Sequence, residues 1–288
     1  MQLAALSREA PILIAGPTAS GKSGLAMELA ARDGRTVINA DALQVYGNWR
    51  ILTARPSIAD EARLPHRLYG HVGRDQDYSV GHWLREVAVL LDRPVVIVGG
   101  TGLYFRALTE GLAEIPPISP ETRALADARM AAEGSRALLG ELDGQTAARL
   151  DRDNPARVQR AWEVLRETGR GLASWQANTP PAPLPLSACE PVVLRPEIGW
   201  LDARITRRFH QMLRDGALAE VESESPFWLP NRPSSRAIGA VELRGYLKGE
   251  SSLEDAVQAA ILASRQYAKR QRTWFRNRMV NWREFIPN

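Results

Sequence analysis

Cysteine is nearly absent. The single Cys189 excludes a disulfide framework and a cysteine-rich zinc site. No apolar run reaches the ~18–20 residues that a bilayer-spanning helix needs. The opening stretch MQLAALSREAPILIAG has neither a basic head nor a small-residue cleavage site, so no signal peptide is predicted. Lysine is also scarce: of 37 Lys+Arg, only Lys22, Lys248 and Lys269 are lysines. A GC-rich genome accounts for that bias. A lysine kept at position 22, inside a Gly-rich loop, then points to a site that wants a compact ammonium rather than a planar fork. The histidines His66, His71 and His210 sit in no pattern that assigns them chemistry.

What is present is ordinary for a water-soluble globular chain: 44% hydrophobic and 24% charged residues. The 288 residues suffice for one large domain or a domain with an insert. A net charge of +4 is a weak pointer to a polyanionic partner. A reducing cytoplasm is the expected compartment.

Short apolar runs at 11–15 (PILIA), 36–40 (TVINA), 94–98 (PVVIV) and 191–194 (PVVL) read as buried strands. Helix patterns at 22–32 and 80–91 alternate with them, which predicts a parallel sheet covered on both faces. Ligands of such sheets bind at the carboxyl ends of the strands. The loop at 16–23, Asp41 and Gly99–Thr101 all lie at such ends and are expected to converge. From about Pro116 to Pro185 the chain turns helical and Ala/Arg/Leu-rich. Ser119 and Pro120 start this stretch as N-cap and first helical residue, and TPPAPLPLS closes it. Longer helices are predicted at 200–213 and 253–278. The expected organisation is a P-loop NTPase-like α/β core at 1–114 and 187–288, with parallel sheet and flanking helices, interrupted by an all-helical insertion domain at 115–186.

GPTASGKS at 16–23 matches G-x-x-x-x-G-K-[ST], follows a strand and opens a helix. Such a loop cradles phosphates with backbone N–H groups and the helix N-terminus. Lys22 neutralises charge, and Ser23 can offer a hydroxyl to Mg²⁺. ATPases of this class carry an acid at the end of a buried strand to organise the metal. PVVIV ends instead in Gly-Gly-Thr, while TVINA ends in Asp41. Asp41 is thus a metal-organising residue, a base, or a turn cap. Ala256–Arg283 holds no acid, and Arg265, Lys269, Arg272 and Arg276 fall on one helical face. Tyr267, Trp274, Phe275 and Trp282 interleave with them, either as base-stacking groups beside a backbone-binding stripe or as core.

The ordered blocks GPTASGKS (16–23), DALQVY (41–46), LTARP (52–56), PHRL (65–68), GGTGLYFRALTEGL (99–112), DNPARVQRAWEVLRETG (153–169), RRFHQML (207–213) and SRQYAKRQRTWFR (264–276) cover nearly the whole chain. In these blocks it resembles the tRNA dimethylallyltransferases, also called isopentenyl-tRNA transferases. The resemblance implies transfer of a dimethylallyl group from its pyrophosphate to N6 of the adenosine at position 37 of tRNA, with Mg²⁺ as cofactor. It implies that Gly16, Pro17, Thr18, Ala19, Ser20, Gly21, Lys22 and Ser23 hold the pyrophosphate, with Ser23 on the metal. Arg208 would grip the same group, Thr101 would sit beside it, and Asp41 would act as general base together with Lys22 in the catalytic set. Asp41, Ala42, Leu43, Gln44, Thr101, Arg123, Arg157, Arg160, Arg236, Arg265 and Lys269 would meet the tRNA anticodon stem-loop, whose target base must leave its stack. No membrane and no obligate protein partner are expected.

Read on their own residues, Arg208 is also compatible with a surface ion pair and Thr101 with a helix cap. Four positions depart from the family pattern: Ala42, Leu52, Ala156 and Ala240. They bear on tRNA contacts and pocket shape more than on chemistry. A chain ending soon after the basic helix, without a zinc-finger extension, suits a bacterial-type enzyme. Other readings are an adenylate-type prenyltransferase acting on free nucleotide, a P-loop kinase of small molecules, and an RNA-binding module with a vestigial loop.

Overall fold

The structure, a computed structural model, describes residues 6–287. The N-terminal stretch read above for a leader therefore begins in residues 1–5, outside the described residues. The chain divides into two compact units, Met1–Thr109 with Leu184–Asn288, and Glu110–Pro183. The elements run β1 Ile12–Ala15, α1 Lys22–Asp33, β2 Thr36–Asn39, α2 Ile58–Arg63, β3 His66–Arg67, α3 Val80–Ala88, β4 Val95–Gly99 and α4 Gly102–Glu110. Then come α5 Pro120–Glu133, α6 Ser135–Gly140, α7 Gly144–Arg149, α8 Pro155–Thr168 and α9 Leu172–Ala177. The chain continues with β5 Glu190–Leu194, α10 Ile198–Arg214, α11 Ala217–Glu224, α12 Ala240–Leu247, α13 Leu253–Arg278 and β6 Arg283–Phe285.

In the first unit six strands form one sheet in the order β3-β2-β4-β1-β5-β6. Every pairing is parallel. Apolar runs without polar alternation are what a sheet buried on both faces requires. Ile12, Ile14, Val96 and Val98 pack on one face with Leu25 and Leu29 of α1. Leu13, Ala15, Val95 and Ile97 pack on the other with Trp83 of α3, Phe105 of α4 and the end of α13. A third cluster joins α10, α11, α12 and α13 through Ile205, Phe209, Val221, Leu243 and Ile261. Fully buried Arg35 secures the amino ends of the strands. It donates to the carbonyls of Ser7 (2.7 Å), Ala10 (2.7 Å) and Val95 (3.3 Å) and to Asp33 (3.1 Å). The helix expected at 80–91 ends at Ala88, and the short edge strands β3 and β6 carry no pattern that marks them in the sequence.

The second unit is helical throughout its described elements. Ser119 caps α5, accepting from the Thr122 N–H, with Pro120 in the first turn. Asn154 and Pro155 open α8 in the same way. Ala126, Leu138, Val158 and Trp162 form its core. Trp162 Nε1 donates to Glu141 at 2.6 Å, which satisfies the indole of a nearly buried ring.

Candidate active site

The Gly-rich loop begins where β1 ends. Gly16 must be glycine, because a Cβ there would lie 2.7 Å from Ser20 Oγ and 3.0 Å from Leu194 Cβ. Gly21 adopts φ 88° at the N-cap of α1, and no acid occupies that helix's first turn. The helix N-terminus thus meets an anion without a competing carboxylate, while the Gly16, Thr18 and Ser20 amides are bonded within the protein to Gly99 O, Gln271 Oε1 and Pro17 O. Lys22 folds back over the loop, its Nζ donating to Pro17 O at 3.2 Å. Burial pushes the Lys22 ammonium down to about 8; the Asp41 carboxylate opposes that shift and the Arg208 guanidinium adds to it. The exposed Ser23 sits at the mouth, and buried Ser20 Oγ has no hydrogen-bond partner.

Arg208 reaches the loop from α10, Nη1 donating to Thr18 Oγ1 at 3.1 Å. Desolvation holds its guanidinium below the usual arginine range; the Asp41 carboxylate opposes that shift and neighbouring Arg204 adds to it. Its bond goes to the loop, and among the described residues it forms no ion pair within 4.0 Å. Its Nε is buried without a partner. One turn earlier Arg204 donates to Ala19 O at 3.0 Å and stacks 4.6 Å from the Trp200 ring centroid. Both guanidinium groups are half-buried and bonded to loop oxygens rather than to a carboxylate, an arrangement that suits an anion they would share.

Asp41 follows β2 and is fixed by the buried Asn39. The Asn39 Oδ1 accepts from Asp41 N at 2.8 Å, and its Nδ2 donates to Asp41 O at 3.0 Å. Asp41 Oδ1 accepts from Leu43 N at 3.0 Å. Its charge acts on Lys22, Arg208 and Tyr267, so it faces the loop. The end of β4 closes on the end of β2. A Cβ on Gly99 would fall 2.0 Å from Ala40 O, and Thr101 N donates to that carbonyl at 3.1 Å. The Thr101 hydroxyl accepts from Ala42 N at 2.9 Å rather than capping α4.

These groups surround a cavity of about 1330 Å³. Thr18, Ala19, Ser20, Gly21, Lys22, Ser23, Asp41, Leu43, Gln44 and Arg208 line it, while Gly16, Pro17, Ala42 and Thr101 are not among its lining residues. Its cations are Lys22, Arg50, Arg55, Arg204, Arg207, Arg208 and Arg214, against the carboxylates of Asp41 and Asp215. The apolar wall comprises Ile51, Leu52, Ile205, Phe209, Met212 and Ile238. Two departures from the family pattern, Leu52 and Ala240, both belong to the α10–α13 core cluster. Among the described residues no group of three or more His, Cys, Asp or Glu could hold a metal ion.

Arg236, Arg265 and Lys269 are exposed and off the cavity wall; Arg265 donates to Thr206 Oγ1 at 3.0 Å. Arg123, Arg157 and Arg160 belong to the Glu110–Pro183 unit and are exposed there. Arg157 pairs with Asp151 at 3.3 Å and Arg160 with Glu163 at 3.7 Å. Phe275 and Trp282 are buried core residues, which corrects the base-stacking reading for both, and Trp274 packs beside them. Tyr267 alone of the four lines the cavity.

Three site residues were not singled out in the sequence, although Gln271 lies within the block at 264–276. Arg204 was described above. Glu220 of α11 accepts from the consecutive N–H groups of Arg50 (2.6 Å), Ile51 (2.9 Å) and Leu52 (2.9 Å), pinning one wall. Gln271 of α13 accepts from Thr18 N at 2.9 Å and donates to Gly100 O at 3.0 Å.

An all-parallel sheet with a phosphate cradle at the carboxyl end of its central β1 defines a P-loop-type α/β protein. A sequence family described as IPP transferase matches residues 44–278, and one described as Isopentenyl transferase matches residues 10–71. The chain is 64% identical over 286 residues to a tRNA dimethylallyltransferase of Cereibacter sphaeroides, spanning 98% of this chain and 91% of that one. It is 58% identical over 289 residues to the tRNA dimethylallyltransferase of Dinoroseobacter shibae, spanning 99% and 97%. The fold matches the crystal structure of a Bacillus halodurans tRNA isopentenylpyrophosphate transferase with TM-score 0.68 and 31% identity, over 96% of this chain and 90% of that one. A eukaryotic dimethylallyltransferase acting on tRNA shares the fold at TM-score 0.81 and 22% identity, over 96% and 74%. The chain belongs to the tRNA dimethylallyltransferase family.

Proposed function

We propose that this enzyme transfers the dimethylallyl group of dimethylallyl pyrophosphate to the exocyclic N6 of the adenosine just 3′ of a tRNA anticodon. The observation that carries the reading is the cavity itself. A phosphate loop with half-buried Lys22 and Arg208 faces one carboxylate, Asp41, while the neighbouring β4 ends in Gly99–Gly100–Thr101 without an acid.

The loop amides, Lys22 and Arg208 would hold the pyrophosphate and stabilise the charge it gains on leaving. The apolar wall around Leu52, Phe209 and Met212 suits the isoprenoid tail. As the C1–O bond breaks and the C1–N6 bond forms, the electron pair of the broken bond leaves with pyrophosphate, and the N6 proton passes to the Asp41 carboxylate. Thr101, bonded to Ala42 N, would hold the Asp41 turn in place and keep its own hydroxyl hydrogen free to donate. Mg²⁺ fits a site with one exposed hydroxyl, Ser23, and no protein carboxylate cage, because that ion keeps waters and takes substrate phosphate oxygens. When bound it would neutralise pyrophosphate charge.

The exposed cations Arg265 and Lys269, with Arg236 on the same unit and Arg123, Arg157 and Arg160 on the helical unit, suit RNA phosphates. The cytoplasm is the compartment where unmodified tRNA would be met. Among the described residues no helix is long and apolar enough to cross a membrane.

The test is incubation with dimethylallyl pyrophosphate and unmodified tRNA, reading the target adenosine by mass spectrometry. No mass gain at that nucleoside, with folded protein, overturns the proposal. Transfer to free AMP in preference to tRNA would move it to the nucleotide-specific class.

A further inference from the structure

Two halves of the cavity come from distant parts of the chain. The phosphate loop follows β1; the Gly100–Thr101 turn follows β4 and supports Asp41 through Thr101 Oγ1 and Ala42 N at 2.9 Å. A single side chain spans them. Gln271, buried in the middle of α13, accepts from Thr18 N at 2.9 Å with Oε1 and donates to Gly100 O at 3.0 Å with Nε2. Its amide orientation is dictated by chemistry, since a backbone N–H needs the oxygen and a carbonyl needs the nitrogen. Gly100 leaves room for it: a Cβ there would lie 2.2 Å from Gln271 Nε2 and 3.2 Å from Asp41 Oδ2.

The contact continues on both sides. Thr18, whose N–H is bound by Gln271, presents Oγ1 to Arg208 at 3.1 Å. Tyr267, one turn earlier on α13, lies on the cavity wall. No charge lies in this tie, so it is not screened by bound anions.

We infer that Gln271 is a positioning residue that sets the separation between the pyrophosphate-holding loop and the Asp41–Thr101 side of the cavity. The inference rests on the proposed transfer. Donor carbon and acceptor nitrogen must meet within a few tenths of an ångström, and a misplacement of about 1 Å costs ~100-fold in rate. Neither glutamate, which cannot donate to Gly100 O, nor asparagine, one methylene too short, spans the gap.

Gln271→Leu removes both bonds at similar volume. In the transfer assay kcat is expected to fall about 100-fold, with the KM for tRNA unchanged within about twofold. Amide exchange of residues 16–20 and 99–101 should accelerate while the α5–α8 helices keep their protection. A purely structural role would lower the melting temperature without moving kcat well below it. Wild-type kcat in Gln271→Leu, at any melting temperature, overturns the inference. If the wild-type protein itself transfers nothing, the function proposal fails, and loop exchange alone then decides on Gln271: unchanged exchange at 16–20 overturns the tie, acceleration supports it. If Gln271→Leu does not fold, Gln271→Met, of similar length and greater flexibility, is measured in the same way with the same criteria.

Discussion

Raising the pH from about 7 to about 9 should weaken binding of the prenyl pyrophosphate roughly tenfold, through Lys22. Burial holds its ammonium at about 8 in the free cavity. A bound pyrophosphate anion supplies the counter-charge that burial withholds and lifts the value back, so binding takes up a proton above that point. With a free-state value of about 8, Lys22 is about nine-tenths charged at pH 7 and about one-tenth at pH 9. Affinity is therefore complete below about 8 and lost as the pH rises through it, by about 1.4 kcal/mol over the interval. The donor's own last ionisation, near 6 as in other phosphate esters, is largely complete before the interval starts. Calorimetric titration with a thio-analogue of the donor, at fixed ionic strength, measures this. Lys22→Arg should bind with a flat profile, because its guanidinium stays protonated throughout. Lys22→Met should bind weakly at every pH, since a charge-assisted contact worth about 1.5–3 kcal/mol is gone. A flat wild-type profile, or an equal fall in Lys22→Arg, would refute the argument.

Asp41→Asn should cut turnover by about 10²–10⁴ as the proton acceptor is lost. In the same variant the pH midpoint of donor binding should move below the wild-type value of about 8, because Asp41 supports the charge on Lys22. A midpoint that stays in place would separate the two groups. Lys269→Ala should leave donor affinity untouched and lower the slope of log affinity for tRNA against log salt by about 0.7–0.9, measured by filter binding across salt concentrations. Gly99→Ala should destabilise by about 1–3 kcal/mol or more in thermal melts, since the new Cβ falls 2.0 Å from Ala40 O and neither strand end can withdraw.

The loop at 16–23 was legible because its chemistry is local: a strand, a glycine turn and a helix start within a dozen residues. The strands β1, β2, β4 and β5 were legible as apolar runs, since each is covered on both faces. The two-residue β3 and the three-residue β6 were not, being too short to show a period. Convergence of Asp41 with the loop followed from parallel-sheet geometry, yet the residues that enforce it did not. Gln271 lies 253 residues from Thr18, within a stretch whose visible feature is its arginines, and only the fold gives its amide two backbone partners. Glu220 likewise bonds a wall 168–170 residues away. Phe275 and Trp282 show the opposite error: aromatic spacing beside cations reads equally as stacking platform or core, and burial, absent from sequence, chose the core.

The cavity's charge has a consequence for the molecule in solution. Its lining sums to +5, whereas the whole chain carries +4, so everything outside the cavity sums to −1. The surplus that sets the sequence pI near 9.5 is thus stored in the ligand site. Loading the site with a pyrophosphate in the absence of Mg²⁺ offsets most of it, and the protein then approaches its neutral point. Free and loaded forms should migrate differently in native electrophoresis at constant pH, and the loaded form should be the first to precipitate at low salt, where net charge keeps molecules apart.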